Sequence, residues 1–322
     1  MTRVLILGGG PDAERTISIT SAAAVHRACL EADPVHGIDA TLMIVDEPTV
    51  EDIKDWRAEV IFPVLHGQFG EGGVLQARLE HCGRPFVGSR SQASQRAMDK
   101  MGTKLLATEH SIPTPLAAIF EPVQSESPLG LPVVIKPIAE GSSVGLHICM
   151  DQSQWEQAHA KVCADIEKHP RRGYMIEQMI LGRELTVSVL SNAQGALEAL
   201  PIIEIAPAQG VYDYQAKYDR TDTVYTSNPE IADDEDAGMK AHALKICAAI
   251  GVRHLARVDF ILDDAGRWFM LELNTMPGFT PSSLLPMAAS AHGLDMPALC
   301  AHLVRRAIDT HPKTRTRAGA NT

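Results

Sequence analysis

Residues 254–278 read HLARVDFILDDAGRWFMLELNTMPG. Two apolar, β-branched and aromatic runs, His254 to Leu262 and Arg267 to Asn274, flank Asp263-Asp264-Ala265-Gly266, and that pattern predicts a β-hairpin. Side chains alternate across a strand, so Arg257 and Asp259 share one face, and Glu272 and Asn274 share one face of the partner. With residues 263–266 as the turn, Leu262 falls opposite Arg267 and Arg257 opposite Glu272. The four polar side chains then lie on one side of the sheet, and Val258, Phe260 and Leu262 on the other. Two carboxylates and a carboxamide converging through oxygen suit a hard, octahedral cation such as Mg²⁺. An exposed face with one Arg–Glu cross-strand pair is the plainer alternative. The apolar character of the rest of both strands, and the tight turn Thr275 to Gly278 that follows Asn274, favour the metal.

A second hairpin is predicted upstream. Leu131 to Lys136 and Leu146 to Met150 read as strands around Glu140-Gly141-Ser142-Ser143-Val144-Gly145. Glycine and serine at a hairpin tip can lay N–H and hydroxyl groups over phosphates. Lys136, at the strand end, can place its ammonium on an α- or β-phosphate. A flexible turn beside a surface lysine would read the same way. No GxxxxGK[ST] occurs, which excludes a P-loop. A helix from Ser153 to Lys168 follows, with Ser153 as N-cap and Glu156 completing a capping box. Strands are then expected at Tyr174 to Ile180, Glu184 to Leu190 and Leu197 to Ile205. Between Ala206 and Asn228 runs a long polar stretch with Tyr212, Tyr214, Tyr218 and Tyr225, four of the five tyrosines in the chain. Disorder does not favour aromatics, so a lid or binding loop is expected. Asp233 to Ile250 reads as a helix ending at Gly251.

At the N-terminus, Arg3 to Leu7 is a buried strand that ends in Gly8-Gly9-Gly10, with a helix from about Ser18 to Leu30. Val60 to Leu65 is a second strand ending at His66-Gly67, and Val74 to His81 is helical. This alternation predicts a parallel sheet covered by helices. The glycines match a dinucleotide fingerprint only loosely, because Pro11 fits it poorly. Glu14 can accept an ammonium group; as a helix-start carboxylate it would equally favour the helix dipole. A lone histidine such as His66 is more often structural than catalytic.

The formal charge of −11 over 322 residues argues against a nucleic-acid partner. The six cysteines, Cys29, Cys82, Cys149, Cys163, Cys247 and Cys300, contain no CxxC pair and read as free thiols of a reducing cytoplasm. The opening MTRVLILGGG is too short for a signal peptide, and no apolar run approaches a membrane span.

The chain resembles the ATP-grasp ligases, and within them the D-alanine–D-alanine ligase family. The matching pieces are GGPDAERTIS, HGQFGEGGVLQ, MDK at Met98 to Lys100, VVIKPIAEGSSVG, EQMILGRELTV, YDYQAKY and RVDFILDDAGRWFMLELNTMPGFTPSSLLP. They keep the family's order and cover nearly the whole chain. The resemblance implies an α/β fold with α+β elements in three domains. These are an N-terminal substrate domain with a parallel sheet (1–92), a central domain (93–182) and a C-terminal domain (183–312), followed by a frayed tail (313–322). ATP would lie between the central and C-terminal domains.

The same resemblance implies the roles of individual residues. Lys100 and Lys136 would hold ATP phosphates under the loop containing Ser142, Ser143 and Val144, with Lys217 on the γ-phosphate. Glu177 and the backbone near Ile180 would meet adenine, and Glu184 the ribose. Asp259, Glu272 and Asn274 would bind two Mg²⁺ ions, with Mn²⁺ able to substitute. Glu14 would hold the ammonium of the first D-alanine, and Ser142 and Tyr218 would link Glu14 to the lid. His66 belongs to the same substrate set. Arg257 and the Gly278 N–H would stabilise the oxyanion, and Ser283 and Leu284 would anchor the second substrate's carboxylate. The implied reaction joins two D-alanines through an acyl phosphate, for peptidoglycan precursor synthesis and hence cell-wall biogenesis and cell shape. The implied protein is a cytoplasmic homodimer with no membrane partner. Asp12, Gly72 and Ala139 depart from the family pattern, the first two near the substrate unit. Another ATP-grasp ligase with a different substrate pair, or a catalytically silent relative, are the alternatives.

Overall fold

The computed structural model describes residues 1–141, 145–207, 222–280 and 282–312, with residues 33–35 through their backbone alone. The first sheet contains β1 (Thr2–Gly9), β2 (Ile38–Val45) and β3 (Val60–Pro63), all parallel, in the order β2-β1-β3. From Val4 onward β1 is buried without alternation, as expected of a central strand covered on both faces. The connecting helix α1 (Arg15–His36) is longer than the expected Ser18 to Leu30. Ser18 is fully buried and holds three segments together. Its Oγ accepts the Gly9 N–H at 2.9 Å and donates to the Val64 carbonyl at 2.5 Å. Gly9 has φ +106°, and a Cβ there would lie 2.2 Å from the Val45 carbonyl, so only glycine fits this turn. Helix α2 (Val50–Asp55) precedes β3; α3 (Gly67–Glu71), α4 (Val74–His81) and α5 (Ser91–Met98) follow it.

Helix α6 (Lys100–Glu109) is N-capped by Asp99, which accepts the Gly102 N–H at 3.0 Å. The second sheet contains β4 (Ala117–Ile119), β5 (Val133–Pro137), β6 (His147–Cys149) and β7 (Tyr174–Gln178) in the antiparallel order β4-β7-β5-β6. The β5–β6 hairpin is the expected one. Helix α7 (Gln152–Lys168) covers the sheet through Trp155, Ala158 and Val162. Its N-cap is Asp151, which accepts the Gln154 N–H at 2.9 Å, rather than Ser153. Asp caps as well as Ser, and the cap falls two residues earlier than expected.

The third sheet contains β8 (Arg183–Ser191), β9 (Leu197–Ala199), β10 (Ile203–Ala206), β11 (Val224–Ser227), β12 (Leu255–Leu262) and β13 (Trp268–Asn274), all antiparallel. The order is β11-β10-β8-β12-β13, with β9 beside β8. The single strand expected at Leu197 to Ile205 is broken between β9 and β10, where Pro201 has no N–H for a ladder. Tyr225, expected in a loop, lies in β11. Helix α8 (Asp233–Ile250) ends at Gly251 with φ +88°, as its sequence predicts, and packs Met239, Ala243 and Ile246 on the sheet.

The last helices, α9 (Leu284–Ala291) and α10 (Met296–Asp309), share one core with the first sheet. Val25 and Cys29 of α1 and Phe62 of β3 pack there with Phe279, Leu285, Leu299 and Leu303. Phe62 and Phe279 meet edge-to-face at 5.4 Å. The C-terminal segment is thereby carried back across the end of β1 and β3, where Glu14 and His66 stand.

The β12–β13 register differs from the expected one. Leu262 pairs with Trp268, and a bulge between Asp259 and Phe260 shifts the rest. Asp259 is therefore opposite Glu272, and Arg257 is opposite Asn274. Asp263 sets this turn by accepting the Ala265 and Arg267 N–H groups at 3.0 and 2.9 Å, which widens it by one residue. The bulge restores the phase, so all four polar side chains still occupy one face.

Candidate active site

A cleft lies between the second and third sheets. Val134, Leu146, Ile148, Met179 and Phe260 give it apolar walls, and Glu177, Gln178, Ile180 and Glu184 line it as well. Lys100, Lys136, Asp259 and Glu272 line it too, so lysines and carboxylates meet within one space. Such a cleft suits a flat apolar ligand with an anionic tail.

Glu177 is buried, 3% exposed, between two lysines. Its Oε2 accepts from Lys136 Nζ at 2.6 Å. Lys104 Nζ stands 2.6 Å from Oε1, an ion pair set off the hydrogen-bond axis, and Oε1 has no aligned donor among the described residues. Burial alone would raise the Glu177 carboxyl, but Lys136 and Lys104 outweigh it and hold it below the usual range. Burial likewise opposes the charge on Lys136, yet Glu177 and Glu272 together raise it. Sequence reading missed Lys104. The available signal was its position one helical turn beyond Lys100 on the same face.

At the β12–β13 face, Asp259 and Glu272 stand directly opposite each other, an arrangement that is unfavourable for like charges unless cations neutralise them. Arg257 grips Asp259 through Nε and Nη2, both at 2.8 Å, and Lys100 lies 3.5 Å from Glu272. Thr186, across from Asp259 on β8, donates to it at 2.6 Å. Asn274 Oδ1 accepts the Met276 N–H at 2.7 Å and retains a second lone pair. Among the described residues no group of three His, Cys, Asp or Glu is placed to hold a metal ion. The oxygen set is two carboxylates and one carboxamide, and its hardness and excess negative charge fit Mg²⁺. Arg257 must release one Asp259 oxygen for an ion to reach it.

A smaller pocket adjoins the cleft through Lys100, Glu140 and Glu272, and reaches Glu71, Gly141 and Asn274. Glu14 is buried, and a Cβ on Gly141 would come 2.8 Å from its Oε2, so carboxylate and glycine loop are in close approach. Glu71, in the Glu71-Gly72-Gly73 stretch that follows the second strand, accepts the Gly67 N–H at 3.2 Å. Burial, reinforced by the Glu14 carboxylate, raises the Glu71 carboxyl well above the ordinary range. Gly278 is held against Ser283: a Cβ there would meet Ser283 Oγ at 2.8 Å, and Ser283 Oγ accepts the Thr280 N–H at 2.9 Å. Ser283 precedes α9, and Leu284 opens it with a buried side chain. Asp12, one of the departures, accepts the Phe69 N–H at 2.9 Å and so fastens α3 to the glycine turn. Ser142, Ser143, Val144, Lys217 and Tyr218 lie outside the described residues.

His66 is buried beside this pocket, and burial first, then the Arg257 guanidinium, push its pKa down to about 4 against a hydrogen bond with the Met276 backbone. The ring is therefore neutral near pH 7, and Nε2 has no partner among the described residues. Between the ordinary value of 6.5 and about 4 the unfolded chain binds a proton that the folded chain refuses. Stability due to His66 is then fully present above 6.5 and is lost as pH falls towards 4. The two values imply about 3 kcal/mol over that window. Urea unfolding at a series of pH values should show this slope in the wild type and a shallower one in His66→Gln; equal slopes would remove His66 as its source.

A family model described as D-ala D-ala ligase C-terminus matches residues 114–305. A D-alanine–D-alanine ligase of Bordetella parapertussis is 40% identical over 312 residues, spanning 95% of each chain. D-alanine–D-alanine ligase B of Chromobacterium violaceum is 37% identical over 302 residues, 92% of this chain and 95% of that one. The solved structure of the D-alanine–D-alanine ligase from Coxiella burnetii superposes with a TM-score of 0.81 over 99% of this chain and 97% of that chain, at 23% identity, which makes it a likeness of fold.

Proposed function

The chain belongs to the D-alanine–D-alanine ligase family, and from that premise we propose that it uses ATP to join two D-alanines into D-alanyl-D-alanine through an acyl phosphate. It is an ATP-dependent carboxylate–amine ligase whose product serves peptidoglycan precursor synthesis. The observation that carries the reading is the continuity of three features: an apolar cleft, lysines and carboxylates meeting within it, and a small adjoining pocket that reaches Gly141, against which the buried Glu14 stands.

A carboxylate resists attack by an amine, so its oxygen must first become a leaving group, and γ-phosphoryl transfer supplies that. Lys100 and Lys136 orient the phosphates, and by family resemblance Ser142, Ser143, Val144 and Lys217 would bind them as well. Glu177 and Ile180 meet the adenine, and Glu184 the ribose. Asp259, Glu272 and Asn274 would hold two Mg²⁺ ions, which when bound neutralise charge on the transferring phosphoryl group. Glu14, with Ser142 and Tyr218, receives the first D-alanine's ammonium; the neutral His66 borders that substrate. Ser283 and Leu284, at the start of α9, receive the second carboxylate. Arg257 and the Gly278 N–H face the tetrahedral oxyanion, where one donor contributes about 3–4 kcal/mol.

The units 1–92, 93–182 and 183–312 would each contribute residues to this site. The tail 313–322 lies outside the described residues beyond residue 312. Family resemblance supports a cytoplasmic homodimer. Among the described residues, no helix is long and apolar enough to cross a membrane. Incubation with ATP, Mg²⁺ and D-alanine, with the product mass measured, tests the proposal. The D-alanine dimer plus one phosphate per dimer is expected; phosphate released without that dimer would overturn the substrate assignment.

A further inference from the structure

Lys104 is a buried cation that the reaction above does not use. It is 4% exposed, sits one turn along α6 from Lys100, and does not line the cleft. Its Nζ stands 2.6 Å from Glu177 Oε1, 2.6 Å from Thr114 Oγ1 and 3.3 Å from the Pro115 carbonyl. Thr114 Oγ1 passes a hydrogen bond on to the Met270 carbonyl of β13 at 2.8 Å. One ammonium thus joins helix α6, the segment before β4, the carboxylate on β7 and the hairpin that bears Glu272.

Its three oxygen partners are Thr114 and Pro115, to which it donates hydrogen bonds, and Glu177, which it meets as an ion pair. Only one of them, Glu177, carries charge. Lys136, the other cation on Glu177, also faces Glu272 and would share its charge with a triphosphate. Lys104 also feels Glu272, but unlike Lys136 it does not line the cleft, so it is the cation that stays with Glu177 when a nucleotide enters. Glu177 leads directly into Gln178, Met179 and Ile180, which line the same wall. Its Oε1 is buried without an aligned donor among the described residues.

We propose that Lys104 is a positioning residue for purine selection: it keeps Glu177 an ionised, acceptor-only carboxylate aimed at the base end of the cleft, so that a 6-amino purine is taken and a 6-oxo purine refused. The inference rests on the reading of this cleft as the nucleotide site. An ionised carboxylate has lone pairs and no proton. An amino group satisfies it, whereas a carbonyl oxygen would oppose it and leave both groups unpaired away from water. Sites built around a buried polar partner reject the mismatched analogue by large factors, whereas apolar contacts discriminate weakly. The lowering of the Glu177 carboxyl by its two lysines accords with this state.

The test compares ATP with inosine triphosphate, which differs by a carbonyl in place of the 6-amino group. Binding of each is measured by calorimetry for wild type, Lys104→Met, Glu177→Gln and the double variant, with thermal unfolding as the check on folding. Wild type should prefer ATP. In Lys104→Met the preference should fall by about tenfold or more, through weaker ATP binding. Glu177→Gln, whose amide both donates and accepts, should lose it at least as far, and the double variant should lose no more than Glu177→Gln alone. Should Lys104→Met not fold, Lys104→Gln, which keeps a neutral donor in the same place, is measured with the same two nucleotides and should show the same fall in preference. Equal weakening of both nucleotides, additive losses, or a wild type without preference would overturn the proposal. Phosphate release with D-alanine is recorded alongside. A wild type that prefers ATP but releases no phosphate would refute the ligase reading and leave base selection standing.

Discussion

Glu272→Gln is expected to lose about a thousandfold or more in D-alanine-dependent phosphate release while its unfolding midpoint, measured with a chelator present, stays equal to or above that of the wild type. The two halves of this expectation have one origin. Asp259 and Glu272 face each other across β12 and β13, and two carboxylates in that position repel. The protein keeps them in check with Arg257 on one side and Lys100 on the other. A glutamine keeps the shape and one oxygen but removes a full negative charge. Repulsion in the empty fold is relieved, partly offset by the lost contact with Lys100. The same change halves the formal charge of the carboxylate pair that would bind the divalent ions. Phosphoryl transfer depends on that charge, because catalysis there is mostly positioning and electrostatic stabilisation. Turnover within about tenfold of wild type would remove Glu272 from the metal set. Lost turnover with a collapsed melting point would mean that the residue is structural.

Arg257→Ala is expected to lower kcat by about 10²- to 10³-fold with little change in the KM for ATP, as removal of an oxyanion donor does elsewhere. In this structure Arg257 is engaged with Asp259 through two hydrogen bonds of 2.8 Å. Its side chain is nonetheless close enough to the small pocket to influence His66 and Glu71. It therefore stands between the metal face and the substrate pocket. Exchange of one Asp259 oxygen from guanidinium to cation would free an N–H for the developing oxyanion. Arg257→Lys retains the charge but not the planar fork, so it should recover only a small part of the loss. Steady-state kinetics with saturating D-alanine checks both variants. A rise in the KM for ATP at constant kcat would instead make Arg257 a binding residue.

Much of this was legible in the sequence. The unbroken apolar run of β1, the glycine turn after it, the β5–β6 hairpin and the β12–β13 hairpin follow from local patterns. Local patterns also placed Asp259, Glu272, Arg257 and Asn274 on one face. Other features were not legible, for identifiable reasons. The hairpin register turned on the hydrogen bonds Asp263 makes within its own turn and on a bulge, neither of which leaves a periodic trace. Thr186 reaches Asp259 only because β8 pairs with β12, strands separated by about 70 residues of chain. Lys104 carries no local signal of burial; β7 brings Glu177 to it. The Glu71 carboxyl is raised because it is buried and because Glu14 and Glu272, distant in sequence, act on it there against the opposing Arg257.

The sequence by itself determined the two hairpins, the strands β1, β3, β7 and β8 and the helices α1, α4, α7 and α8, though not β2, β4 or β11; it also determined which residue types can meet phosphate and divalent ions, and the family to which those motifs point. These are properties of short stretches, where alternation, turn chemistry and charge act between near neighbours. The tertiary structure alone decided which charges share a partner and which are shut away from water. Lys136 and Lys104 on one carboxylate, His66 neutral beside Arg257, and the C-terminal helices folded back onto the first sheet each depend on burial and on contacts between distant segments. Desolvation and pairing are set by the surrounding fold, and no local pattern encodes them.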